Sequence, residues 1–303
     1  MPDRSADFRR QIDELFPRHV ESVLRIALNE AGAPLGHRHV EYLDSWAPPN
    51  LEPSIARDLQ TAYVLFVAAV FAIDHLWDEQ SQSEDDILYP SFVTLAAAKL
   101  VQGIQSRSGV TGLIDTFLKS FDEFAVAMKL ERAARASRSP DEEMDRRHLV
   151  NRSRLFVALF EVICQLKKRP ATAAEVRILE EFIFWMQRGD DLGDWREDYR
   201  NAQKSYFIRS CAEAMGELPR SEAELEEYVY LSGAYEEEAS RIIKGLEDVE
   251  RHVRDFSAGP ANTLAFAAFV EKQHLVARQV LSDFRSIKQQ YLVTEPEDDE
   301  RDR

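Results

Sequence analysis

No segment of this 303-residue chain alternates polar and apolar side chains long enough for a β-strand, and almost every segment repeats apolar residues at three- and four-residue intervals. That pattern leaves an all-α fold. Glycine (11) and proline (12) are sparse, which favours long helices over a sheet broken by turns. The spacing predicts helices over residues 7–31, 53–80, 88–106, 110–135, 141–168, 173–200, 204–216, 221–256 and 261–291. Pro17 should break the first of them. Residues 33–53 are the least regular stretch of the body. Ser139-Pro140-Asp141-Glu142 reads as a helix start, with proline in the first turn and acids at the positive dipole end. The run YVLFVAAVFAIDHLWDEQ is apolar nearly all round, so its helix should lie deep in a bundle. The expected architecture is one domain over 1–293, of roughly ten helices, followed by a disordered acidic tail at 294–303.

The formal net charge of -16 argues against nucleic acid and anionic lipid as partners. It leaves room for an anionic small ligand carried into a local site by cations. Cys164 and Cys211 make neither a disulfide framework nor a paired metal motif. The N-terminal residues are too polar for a signal peptide. No apolar run approaches the roughly 20 residues of a membrane span. A soluble cytoplasmic protein without stable membrane insertion is expected, and a homodimer is compatible with the reading.

Two acidic stretches stand out. In FAIDHLWDE (71–79), Asp74 and Asp78 are four apart and share one helix face. In MQRGDDLGDWRED (186–198), Asp190, Asp194 and Asp198 fall at i, i+4 and i+8, flanked by Asp191 and Glu197. Each stretch ends an apolar helix, where carboxylates meet the unfavourable dipole end. Like charges one turn apart also repel. A single such pair is usually a solvated face. Two of them, 120 residues apart from Asp74 to Asp194, invite a shared explanation in a hard divalent cation. Mg²⁺ takes oxygen ligands and is usually held by one or two carboxylates plus substrate phosphates.

These residues carry a resemblance. Asp74-His75-Leu76-Trp77-Asp78-Glu79 resembles the first aspartate-rich motif of class I isoprenoid synthases. MQRGDDLGD is similar to the FQxxDDxxD of trans-prenyltransferases. DDLGDWRED has the spacing of the terpene synthase NDxxSxxxE, and LGDWRED resembles the LRDxxED of squalene and phytoene synthases. QKSYF resembles the lysine-containing segment after the second prenyltransferase motif. Asn151-Arg152-Ser153 lies where those enzymes carry a basic residue that contacts diphosphate. The resemblance spans roughly residues 60–210.

What the resemblance implies is a helical bundle around a deep apolar pocket, with an isoprenyl diphosphate at its mouth. Three Mg²⁺ ions, replaceable by Mn²⁺, would be held by Asp74, Asp78, Asp190, Asp194 and Asp198, which are both the metal ligands and the catalytic residues. Arg152 and Lys204 would hold the diphosphate, and Tyr206 beside Lys204 would bind substrate. Phe71, Val67, Met186 and Gln187 would line the pocket, with Tyr63, Phe66, Val70, Phe182 and Ile183 further along the same faces. Such chemistry needs Lewis acids on a leaving group and a dry wall around a cation, with no nucleophilic triad.

Departures from the family pattern refine the expectation. His75 replaces the second aspartate of the first motif. QSQSEDDILYP follows it where chain-elongating enzymes place paired arginines. Only Gly36-His37-Arg38-His39 echoes their GGKRxRP segment. A one-substrate terpene synthase is therefore the leading expectation. A prenyl-coupling synthase, head-to-head or chain-elongating, is the alternative. A non-catalytic helical scaffold is the rival from another class. Arg146, Arg147, Arg154, Arg196 and Arg200 are further basic candidates near the second motif, each more readily a surface ion-pair partner. Arg285 and Tyr291 are candidates for a closing contact.

Overall fold

The computed structural model describes residues 4–29, 32–36, 38–77, 84–136, 141–202, 204–256 and 264–294. Among them are fourteen helices and no strand. They are α1 (Arg4–Leu15), α2 (Val20–Ala27), α3 (His39–Trp46), α4 (Pro53–Trp77), α5 (Glu84–Ser108), α6 (Leu113–Ala136) and α7 (Glu142–Arg152). There follow α8 (Arg154–Leu166), α9 (Ala173–Gly193), α10 (Trp195–Arg200), α11 (Tyr206–Met215), α12 (Glu222–Ser232), α13 (Ala234–Phe256) and α14 (Leu264–Thr294).

The excess over ten comes mainly from breaks inside predicted helices. The first run divides around Pro17, as expected, since proline removes a helix N–H. The run over 141–168 divides at Ser153, and the run over 221–256 divides at Gly233, whose φ of 81° lies in the left-handed region. The run over 173–200 bends at Asp194. Asp141 is the N-cap of α7, its carboxylate accepting from the Met144 N–H at 3.0 Å. Ser139, Pro140, Asp78 and the tail from 295 lie outside the described residues.

The chain forms two compact units. The first comprises residues 1–122, 154–173 and 260–266; the second comprises 123–153, 174–259 and 267–303. In the first unit, α4 supplies an almost continuous buried surface from Leu59 through Ala69. α8 is buried from Leu155 to Phe160 and again from Val162 to Cys164. Aromatic contacts fill the space, with Trp46 against Phe160 at 4.9 Å and against Phe266 at 5.1 Å, and Phe66 against Phe117 at 4.8 Å. By length and mean hydropathy (1.4), the 53–74 segment of α4 could cross a membrane, yet 56% of that window is buried inside the protein. It serves here as a core helix.

α3 was not expected, because prolines and glycines surround it in the sequence. Tertiary contacts hold it. Lys167 Nζ pairs with Asp44 Oδ1 at 2.6 Å and donates to the carbonyls of Asp44, at 2.8 Å, and of Ala47. The Asp44 carboxylate also accepts from the Leu51 N–H at 3.0 Å. Burial pulls the Lys167 ammonium below its usual range, opposed by Asp44.

In the second unit, the core of α9 is Ile178, Leu179, Phe182, Ile183 and Phe184. Phe184 joins Leu149 and Val150 of α7, with Trp185 packed against them. Among the described residues of this unit, Arg188 pairs with Glu238 and Arg209 with Asp145, both buried, and His148 Nε2 lies 3.6 Å from Glu131 Oε2.

Candidate functional site

The C-terminal end of α9 and the whole of α10 carry the second acidic stretch. The backbone bends at Asp194, yet the i to i−4 hydrogen bonds continue across the bend. Asp194 N–H donates to the Asp190 carbonyl at 2.9 Å, and Asp198 N–H to the Asp194 carbonyl at 2.9 Å. The backbone hydrogen-bond register therefore continues across the bend, while the side chains couple as Asp190 with Asp194 and Asp191 with Asp198. Trp195, buried beside the bend, anchors α10.

The carboxylates crowd one another. Asp190 and Asp194 reach solvent, whereas Asp191 and Asp198 are half-buried. Although Asp190 is accessible, surrounding protein displaces much of its water and pushes its carboxyl up to about 6, with Asp194 adding to the rise and Arg152 opposing it. Asp191 rises further, to about 7. Burial is the first cause and Asp198 the second, against Arg152, the Tyr206 N–H and Arg188. Asp194 is raised by burial and by Glu197. Gln187 Nε2 donates to Asp190 Oδ2 at 3.2 Å, and Tyr206 N–H to Asp191 Oδ2 at 3.4 Å. Asp190, Asp191, Asp194, Asp198, Arg152, Gln187 and the first residue of α11 thus form one electrostatic group.

This donor set, all hard oxygen and short of positive charge, suits a divalent cation. Among the described residues no three histidine, cysteine or acidic side chains converge on a single point that could hold a metal ion. The arrangement fits an ion held by one or two carboxylates, with water or an anionic ligand completing its shell.

The remaining predicted residues divide between the units. In the first unit, Asp74 is buried near the end of α4, at 8% exposure. Val67 and Val70 are half-buried and Phe71 is 47% exposed. Tyr63 and Phe66 are core, with Tyr63 OH bonded to His39 Nδ1 at 2.9 Å. In the second unit, Met186 is half-buried and Phe182 and Ile183 are core. Lys204 is half-buried in the short extended segment before α11. Several basic candidates are engaged in ion pairs: Arg146 with Glu181 at 2.7 Å, Arg154 with Glu161 at 3.9 Å, Arg196 with Glu226, and Arg200 with Glu222 at 2.5 Å. Arg147 and Arg285 are exposed, and Tyr291 packs on Tyr230 at 4.7 Å.

No protein-family model matches the chain, and no curated protein matches its sequence. Solved structures do match its shape. A geranylgeranyl pyrophosphate synthase from Lactobacillus brevis superposes with a TM-score of 0.68 at 11% identity, covering 86% of this chain and 98% of that one. A heptaprenyl diphosphate synthase from Staphylococcus aureus gives 0.68 at 11%, covering 89% and 96%. A polyprenyl synthase from Caulobacter crescentus, solved with calcium and isoprenyl diphosphate, gives 0.65 at 14%, covering 86% and 92%. The fold is that of the class I isoprenoid synthases.

Within that isoprenoid synthase fold, the structure adds residues that sequence reasoning passed over. By spacing Asp191 only flanks the column; its burial raises its carboxyl above that of Asp190. The doublet Asp190-Asp191 was its only signal, since the column argument picked one register. Arg188 falls inside MQRGDDLGD, and the motif assigns it no role. It is 3% exposed, paired with Glu238 (Nε to Oε1 at 2.8 Å), and its guanidinium lies 3.5 Å from the centroid of the Tyr206 ring. An arginine inside an apolar helix run was the available hint. Nothing local to the sequence named Glu238 as its partner, 50 residues on.

Proposed function

We propose that this chain is a divalent-metal-dependent prenyl synthase acting on isoprenyl diphosphates. The observation that carries the reading is the second acidic group. Carboxyls raised to about 6 at Asp190 and about 7 at Asp191 hold negative charge that protein cations only partly offset. A bound cation with a diphosphate would complete that balance. The names of the geranylgeranyl and heptaprenyl synthase neighbours, and of a geranyltranstransferase from Thermotoga maritima, support the prenyltransferase class over a cyclase. One neighbour's complex with calcium and isoprenyl diphosphate supports this pairing of ligands.

In this reading Asp74 and Asp78 of the first motif, and Asp190, Asp194 and Asp198 of the second, are the metal ligands, and Asp191 adjusts the charge beside them. Mg²⁺ would supply Lewis-acid neutralisation of the diphosphate leaving group. Arg152 and Lys204 bind its oxygens, Gln187 orients Asp190, and Tyr206 N–H steadies Asp191. The apolar faces of Val67, Phe71 and Met186 meet the hydrocarbon chain.

A one-substrate ionisation is the second reading, favoured by one sequence observation: Gln80–Asp86 follows the first motif without an arginine. Incubation with C10, C15 and C20 allylic diphosphates and Mg²⁺, with and without isopentenyl diphosphate, separates the two. Longer diphosphates formed only with isopentenyl diphosphate support chain formation. Hydrocarbon or alcohol products formed without it support ionisation alone. No turnover under either condition leaves the non-catalytic scaffold.

A further inference from the structure

The Asp145–Arg209 pair joins α7 to α11, the helix whose first residue meets Asp191. Both residues are 2% exposed. A buried ion pair is a weak source of stability, because well-packed apolar residues of similar volume often do as well. This pair does something an apolar pair cannot. Arg209 Nη2 bonds Asp145 Oδ1, while its Nε donates to the backbone carbonyl of Lys204 at 3.1 Å. That carbonyl lies outside α11, in the extended segment where Ser205 is an N-cap with no side-chain cap of its own. One rigid guanidinium therefore grips both an α7 side chain and the Lys204 backbone.

Both ends matter to the site. Asp145 sits in the first turn of α7 and Arg152 in its last. Seven residues of rigid helix, about 10 Å, fix their separation. His148 on the same helix is held against Glu131. Two residues beyond Lys204, the Tyr206 N–H meets Asp191.

We propose that Asp145 and Arg209 are positioning residues that set Lys204 relative to Arg152, so that the two cations meet one diphosphate. The proposal rests on the reading of Arg152 and Lys204 as diphosphate ligands. It deepens that reading by naming what places them.

The test is a double-mutant cycle on inorganic diphosphate binding in Mg²⁺, measured by calorimetry well below the melting temperature. Lys204→Ala should weaken binding about tenfold, the scale of a charge-assisted hydrogen bond. The apolar replacement Asp145→Leu/Arg209→Met, which leaves no buried charge unpaired, should melt cooperatively and lose a similar factor. Adding Lys204→Ala to it should cost nothing more. If the apolar variant does not fold, Arg209→Lys keeps the charge opposite Asp145 without the guanidinium fork, and carries the same comparison. The proposal alone is overturned if the folded variant binds diphosphate like the parent, or if its loss and that of Lys204→Ala are additive. If Lys204→Ala itself binds like the parent, the assignment of Lys204 falls and the proposal falls with it.

Discussion

α4 and α9 present the same pattern in sequence, an apolar helix ending in aspartates, and solve its electrostatic problem differently. α4 runs unbroken for 25 residues, and its Asp74 is buried. α9 bends after 21 residues and passes its acidic column to α10, so Asp190 and Asp194 reach water while Asp191 sinks. α4 contributes a buried carboxylate near its C-terminal end. α9 contributes a crowd whose mutual repulsion and burial raise several carboxyls together. The crowd is the stronger sign of a cation site, because each member keeps its charge only against its neighbours.

The largest effect should come from neutralising either end. Asp74→Asn and Asp194→Asn change charge with little change in shape. Each should lower product formation by about a thousandfold, roughly 4 kcal/mol of transition-state stabilisation. Unchanged turnover of an accepted diphosphate in one variant would show that the two helices do not share a function.

Next comes the pair beneath the crowd. Arg188→Met leaves the buried Glu238 carboxylate with only its longer contact to Arg241, at 3.8 Å, and removes the cation over Tyr206. Denaturant melts should show a loss of about 3 kcal/mol. Arg188→Met/Glu238→Leu should recover most of it, and a double variant no more stable than the single would refute the ion-pair account.

A pH dependence sharpens the contrast further. The folded pKa of Asp191 is raised to about 7, above the ordinary carboxylate value. Its contribution to stability is therefore full below about pH 4 and is lost as pH rises through about 7. Without metal, Asp191→Asn should melt higher than the parent at pH 8, by on the order of 2 kcal/mol, and gain little at pH 4. An equal gain at both pH values would remove the buried charge from the argument.

The smallest effect concerns packing behind α9. A methyl group on Gly245 of α13 would run into the Trp185 indole. Gly245→Ala should cost about 1–2 kcal/mol through displacement of that ring. Trp185→Leu should relieve the clash, which a melting series can check.

What was legible in the sequence follows from what is local. Helical periodicity, the break at Pro17 and a helix start near residue 141 depend on neighbours a few residues away, and the structure has them, with Asp141 as the N-cap rather than an acid inside the first turn. α3 could not be found that way, because Lys167, 123 residues beyond Asp44, holds it. The bends at Ser153 and Asp194 were hidden because the apolar spacing runs on across them. In the site, the gathering of Asp190, Asp194 and Asp198 where α9 meets α10 was readable from spacing, although the fold couples Asp198 to Asp191. The burial of Asp191 was not, because it depends on what packs around α9. Arg188 and Arg209 were equally silent, since their partners Glu238 and Asp145 come from distant helices.

The central claim is that the second acidic group binds a divalent cation and a diphosphate together. Calorimetric titration of the protein with inorganic diphosphate, at several fixed Mg²⁺ concentrations, tests it most directly. The account predicts that Mg²⁺ strengthens diphosphate binding at least tenfold, that diphosphate strengthens Mg²⁺ binding by the same factor, and that Asp190→Asn/Asp194→Asn abolishes the coupling. Diphosphate affinity that does not change with Mg²⁺, or coupling that survives the double substitution, would contradict it.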